Sequence, residues 1–153
     1  MKRELQRAVQ LRKRGRLNAA IKLLVQLQKR NPMNPNVHYE LASAYDISGQ
    51  ERKAVGPYTR SLKLGLRKSE RKSAYLGLGS TLRCLGELKT SKEVLVKGIR
   101  EFPTDRPLRV FLALTERDLR NFKAAFKILM IELIETTRSA DIASYKRALF
   151  RYA

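Results

Sequence analysis

The stretch LASAYDISGQERKAV, Leu41 to Val55, decides how the rest of the chain is read. It holds small residues at Ala42, Ala44 and Ala54, one aromatic at Tyr45, a single Gly49, and almost no reactive chemistry. Slid along the chain, it finds itself again. Ala8, Ala42, Gly79 and Ala113 fall in one column, spaced by 34, 37 and 34 residues. The same offsets align Gly15, Gly49, Gly86 and Arg120, then Ala20, Ala54, Ser91 and Ala125. Leu24, Tyr58, Leu95 and Leu129 make a further column, and Leu11, Tyr45, Leu82 and Glu116 another. A period of this length marks a supersecondary unit that stacks on copies of itself.

Each column has a physical reason. A small residue lets two crossing helices approach closely, and a glycine takes the left-handed conformation that ends a helix. Pro32 and Pro103 close the first and third units, where proline stops a helix; Leu66 and Thr137 stand at the other two closures. Between these marks apolar residues recur at helical spacing, as in Leu17, Ile21, Leu24 and Leu27, and again in Ala124, Ala125, Ile128 and Leu129. The pattern predicts eight helices paired as antiparallel hairpins. Three extra residues fall in GLRKSERKSAY and are expected to lengthen the turn there, with Ser69 capping the helix that follows. Pro57 lies inside a predicted helix and should kink it. The segment from Ser139 to Ala153 places Ile142, Tyr145, Ala148, Leu149 and Tyr152 on one face, suited to capping the last apolar surface.

With these columns the chain resembles the tetratricopeptide repeat, most closely in the unit built on Leu41, Ala42, Tyr45, Gly49, Ala54 and Tyr58. Arg7, Glu116 and Arg120 depart from that pattern. The strings YLGLGSTLRCLGELKTSKEVL, EFPTDRPLRVFLAL and DIASYKRALFRYA together look like the small bacterial group-five tetratricopeptide family. The resemblance implies an all-α, right-handed α-α superhelix (solenoid) of four hairpins plus a C-terminal capping helix. The units are set at 1–34, 35–71, 72–105 and 106–138, with the cap at 139–153, as one domain. The family likeness further implies no catalytic activity, and it suggests a dimer.

The bulk numbers agree with a globular, non-enzymatic chain. At 153 residues with 43% hydrophobic content it fits one domain with a core of its own. One cysteine, Cys84, excludes an internal disulfide and any multi-cysteine metal site. The single histidine, His38, stands where the repeat packs a large side chain and reads as a core filler, and Cys84 reads as packed against Leu82 and Leu85. The G-x-G of LGLGSTLR falls mid-helix with no strand before it, so it is no phosphate loop. No cofactor is expected. No apolar run reaches the roughly 18 residues of a membrane span. The charged N-terminus MKRELQRAVQLRKRGR has no signal-peptide core, and a cytoplasmic location is expected.

Thirty-three Lys and Arg against fourteen Asp and Glu give a net charge of +19, which suits a solvated surface or an anionic partner equally. The repeat resemblance implies which columns line the concave face: Leu5, Tyr39, Leu76 and Val110; Val9, Ser43, Ser80 and Leu114; Arg12, Asp46, Arg83 and Arg117; and Ile47 from a fourth. They describe an apolar stripe flanked by arginines, suited to a peptide or amphipathic helix with acidic residues. The alternative is that Leu5, Leu76 and Val110 simply pack between hairpins. The carboxylate clamp of some tetratricopeptide proteins is missing, since Leu5, Val9, Tyr39, Ser43, Ser73 and Gly77 occupy its columns. Two basic runs, one with Arg12, Lys13, Arg14 and Arg16 and one with Arg67, Lys68, Arg71 and Lys72, are placed in turns on opposite edges of the array. They support a second reading, electrostatic binding of nucleic acid, although few aromatics interleave them for stacking. The leading expectation is a protein-interaction scaffold, self-associating through apolar surface left open on the first hairpin.

Overall fold

The computed structural model describes residues 1–153 and contains ten helices and no strand. They are α1 (Lys2–Lys13), α2 (Leu17–Arg30), α3 (Pro35–Ile47), α4 (Glu51–Leu64), α5 (Lys68–Cys84), α6 (Leu88–Glu101), α7 (Arg106–Asp118), α8 (Phe122–Thr136), α9 (Ala140–Ser144) and α10 (Lys146–Tyr152). The first eight pair as α1/α2, α3/α4, α5/α6 and α7/α8, and each pair packs on the next through α2/α3, α4/α5 and α6/α7.

The columns act as the sequence requires. Ala8, Ala20, Ala42, Ala54, Ser91 and Ala113 are buried at the helix crossings. Gly79 sits so close to Leu95 that a Cβ there would come within 2.6 Å of its side chain. Gly49 ends α3 at φ +71, and Arg120 ends α7 at φ 63 despite carrying a side chain. Asn34 caps α3 by accepting from the Asn36 and Val37 amides at 3.0 and 3.3 Å, with Pro35 in the first turn where it forgoes no bond. Asp105 does the same for α7, accepting from the Leu108 amide. α4 runs on through Pro57 from Glu51 to Leu64. The two glycines of LGLGSTLR lie within α5.

Three expectations are corrected. The extra residues of the third unit do not lengthen a turn: only 65–67 separate α4 from α5, and α5 takes 17 residues where α3 and α7 take 13. The boundary set between 71 and 72 therefore lies inside the first turns of α5. That overhang is held by ion pairs from Arg71 to Glu101 at 2.6 Å and from Lys72 to Asp105 at 3.0 Å. Ser69 does not cap it; Arg67 holds the cap position and the Ser69 hydroxyl donates to Glu70. Third, the closing segment is two short helices broken at Tyr145, and Ile142, Tyr145 and Tyr152 remain exposed instead of sealing a face.

The hairpins are joined in different ways. An ion pair from Arg12 to Glu40, 2.8 Å, links the first to the second. Lys72–Asp105, Arg83–Asp118 and Lys92–Glu116 link the third to the fourth. No ion pair crosses from the second to the third, where the contact is an apolar cluster of Ala42, Ala54, Tyr58, Leu66, Ala74, Leu78 and Leu82.

Candidate functional site

The most developed concavity lies where α1, α3 and the start of α5 face one another. Three helices held side by side by the small-residue columns leave a cleft of about 560 Å³ between their inner faces. Its apolar lining is Leu5, Val9 and Tyr39, each predicted for the groove. Polar residues complete it: Lys2, Gln6, Gln10 and Lys13 from α1, Asn36 and Glu40 from α3, and Arg67 and Glu70 at the entry to α5. Leu5 also packs against the core of the first hairpin, and the Tyr39 ring stands 6.3 Å from that of Tyr58. Burial raises the Tyr39 phenol above its ordinary pKa, so it enters the cleft as a neutral donor.

Charge pairing divides the cations of this region. Arg12 bonds Glu40 through both Nε and a terminal nitrogen, so the arginine expected to read an acidic ligand is occupied within the array. Arg67 pairs with Glu70 at 2.6 Å. Lys2 and Lys13 line the cleft without an ion pair and are the free positive charges there. A columnar reading missed Glu40 because it compares like positions, whereas the Arg12–Glu40 tie joins unlike positions on neighbouring helices.

The other predicted groove residues lie outside this cleft. Asp46 accepts from the Tyr58 hydroxyl at 3.2 Å, and burial raises its carboxyl above the usual range. Arg83 and Arg117 both hold Asp118, at 2.8 and 2.7 Å, and their hydrogen bonds lower its carboxyl below the ordinary value. Leu76 is half-buried against the cluster of Tyr75, Leu95 and Leu108. Ser43, Ser80, Val110 and Leu114 are half-buried on α3, α5 and α7, while Ile47 is exposed. Thus the structure brings Leu5, Val9 and Tyr39 together in one cleft and leaves the remaining groove residues along the array.

Of the two basic runs, half the members are paired: Arg12 with Glu40, Arg67 with Glu70, Arg71 with Glu101 and Lys72 with Asp105. Lys68, Arg71 and Lys72 stand on α5, not in a turn. The outer face of the first hairpin mixes part-exposed Leu11 and Leu23 and exposed Ala19 with charged and polar residues. Arg3, Arg7, Arg16, Lys22 and Gln26 are exposed there, and Met1 is the one exposed large hydrophobic residue before Met33.

His38 is buried and satisfied: its Nε2 donates to the Pro32 carbonyl at 2.8 Å, which leaves Nδ1 to accept from the Gln28 amide at 3.1 Å. Cys84 is exposed at the end of α5, contrary to its expected packing against Leu82 and Leu85. No three His, Cys, Asp or Glu side chains gather as a metal site, and no helix is long and apolar enough to cross a membrane.

A family model described as Tetratrico peptide repeat matches residues 35–153. Among solved structures, the crystal structure of MamA protein is similar over 95% of this chain and 74% of that one, with TM-score 0.77 and 19% identity. MamA 41-end from Desulfovibrio magneticus RS-1 matches over 97% and 82%, with TM-score 0.78 and 16% identity. YrrB, described as a TPR protein with an unusual peptide-binding site, matches over 95% and 84%, with TM-score 0.68 and 14% identity. At such identities the likeness carries the fold alone. These structural matches take in the first hairpin, which the family model leaves out. No curated protein matches the sequence.

Proposed function

The chain belongs to the tetratrico peptide repeat family, and from that premise we propose that it is a non-catalytic scaffold that seats an acidic protein segment in the cleft of α1, α3 and α5. The family's fold is one that holds helices rigid for contact with other proteins. The observation that carries the proposal is the lining itself: an apolar floor of Leu5, Val9 and Tyr39 beside the unpaired Lys2 and Lys13. An apolar side chain of the ligand sits on the floor while its neighbouring carboxylates reach the lysines, with glutamine and asparagine amides free to bond its backbone. The acidic preference thus passes from Arg12, Arg83 and Arg117, which are paired, to the two lysines. A homodimer built on the first hairpin would bring Leu11 and Leu23 together but also Arg7, Arg16 and Lys22 of both copies, and this reading does not rest on it. The pairing of half the basic-run residues likewise weighs against a nucleic-acid surface.

The test is panning of a displayed random-peptide library against the full-length protein. Enrichment of peptides with an apolar residue flanked by Asp or Glu is expected, with affinity falling about tenfold in Tyr39→Ala. Selected peptides that lack acidic residues, or that bind Tyr39→Ala unchanged, would overturn the proposal.

A further inference from the structure

The last hairpin ends differently from the three before it. Leu24, Tyr58 and Leu95 are at most 3% exposed, because the hairpin that follows each of them covers it; Leu129, in the same column, is 42% exposed. Phe122, Phe126 and Leu133 share its face at spacings of four, three and four, and stand 61%, 56% and 43% exposed. Together they form an apolar ridge about 17 Å long by the helix rise. The closing segment does not hide it, for α10 packs against α8 and yet leaves these four side chains open. A contiguous ridge of this kind differs from apolar residues scattered singly over a surface.

Charge says what kind of occupant fits. Arg120, Lys123 and Lys127 border the start of α8, and Arg138, Lys146, Arg147 and Arg151 follow; none of them appears in any ion pair of the molecule. The acids of this region are already neutralised, Glu132 by Arg106 and Arg109 and Glu135 by Arg106, which leaves only Asp141. An apolar ridge rimmed by unpaired cations is half of a complementary contact.

We propose that the exposed face of α8 docks an acidic amphipathic helix of another protein, seated where the first helix of a fifth hairpin would lie. Its apolar stripe covers Phe122, Phe126, Leu129 and Leu133, and carboxylates along its flank meet Lys123 and Lys127. A second copy of this chain is the poorer occupant, because each copy brings a charge of +19 and the same unpaired cations to the contact. The site lies on α8, apart from the cleft of α1, α3 and α5, so the two proposals stand or fall separately.

The array supplies its own probe. α7 is the helix that covers Leu95, through Leu108. A labelled peptide of residues 105–119 carrying Arg106→Glu, Arg109→Glu and Arg117→Glu is titrated into the full-length protein at low salt. Saturable binding is expected, weakened about tenfold by Phe126→Ala with Leu129→Ala, and about tenfold by Lys123→Glu with Lys127→Glu. The titration is run in the Tyr39→Ala background, which weakens any share that the cleft of α1, α3 and α5 takes of an acidic peptide. The lysine pair is exposed, so that variant keeps its fold even if the apolar variant does not, and thermal melting checks both. The proposal is overturned if the glutamate peptide fails to bind, or if the unaltered peptide, whose three arginines balance its three acids, binds equally well. It is also overturned by a dimer in light scattering that Phe126→Ala abolishes, which would make a second copy the occupant. Pelleting with phosphatidylglycerol vesicles that the apolar variant loses would make it a lipid surface instead.

Discussion

In the second hairpin Gly49 supplies the left-handed turn, Tyr45 packs between helices, and Tyr58 is sealed by the next hairpin. At the same three places the fourth hairpin has Arg120, Glu116 and Leu129. The backbone is nevertheless the same, with φ of +71 at Gly49 and 63 at Arg120. The same backbone hydrogen bond closes both turns, from the Gln50 amide to the Tyr45 carbonyl at 2.9 Å and from the Asn121 amide to the Glu116 carbonyl at 2.8 Å. The residue in the turn therefore settles only what the turn costs. Glu116 shows a second kind of accommodation. It is buried in a column of Leu and Tyr, and is made tolerable by Lys92 at 2.7 Å and the Asn121 amide at 2.8 Å. Burial pushes its carboxyl up, but those two hydrogen bonds outweigh it and hold the group below the ordinary carboxylate pKa.

The largest difference is expected when one column is truncated both inside the array and at its last hairpin. Leu95→Ala, at a fully buried site, should cost about 2–5 kcal/mol in urea unfolding, whereas Leu129→Ala should cost less than about 1 kcal/mol. Equal losses would mean that the α8 face is covered in solution.

The next effect is at Glu116. Glu116→Ala strips Lys92 and Asn121 of their acceptor and should cost about 1–2 kcal/mol, the lysine being half exposed and able to rehydrate. Since the folded pKa of Glu116 lies below its unfolded value, the stabilisation is complete above about pH 4.5. It is lost as pH falls through the folded pKa. Glu116→Leu, which restores the column residue, should flatten that part of the acid-unfolding curve.

The smallest effect concerns the turns. Arg120→Gly should gain about 1 kcal/mol by relieving the left-handed strain, and Gly49→Ala should lose about as much. Paired thermal melts of the two variants check the sign in each.

The columns made the hairpins and their close approaches legible, because helix crossings at Ala8, Ala42, Gly79 and Ala113 leave a periodic trace. Ends and pairings leave none. The three residues added to the third unit carry no helix breaker after Gly65, and α5 extends backwards because Arg71 and Lys72 find Glu101 and Asp105. The tail has helical periodicity, yet periodicity cannot say whether a face finds a partner, and Tyr145 and Tyr152 find none. In the candidate cleft, the apolar residues Leu5, Val9 and Tyr39 followed from column position. The free charges did not, since whether Arg12 or Lys13 is available depends on Glu40, a residue in another column on another helix.

The joint between the second and third hairpins is the one held without an ion pair. Ion pairs grip the array on either side of it, and a bonded fork resists rotation. There the Tyr58 ring of α4 closes on Gly77 of α5, so shape and not charge sets how the two hairpins meet. Added salt has no ion pair to screen at that joint, whereas cooling weakens it, because apolar attraction fades in the cold.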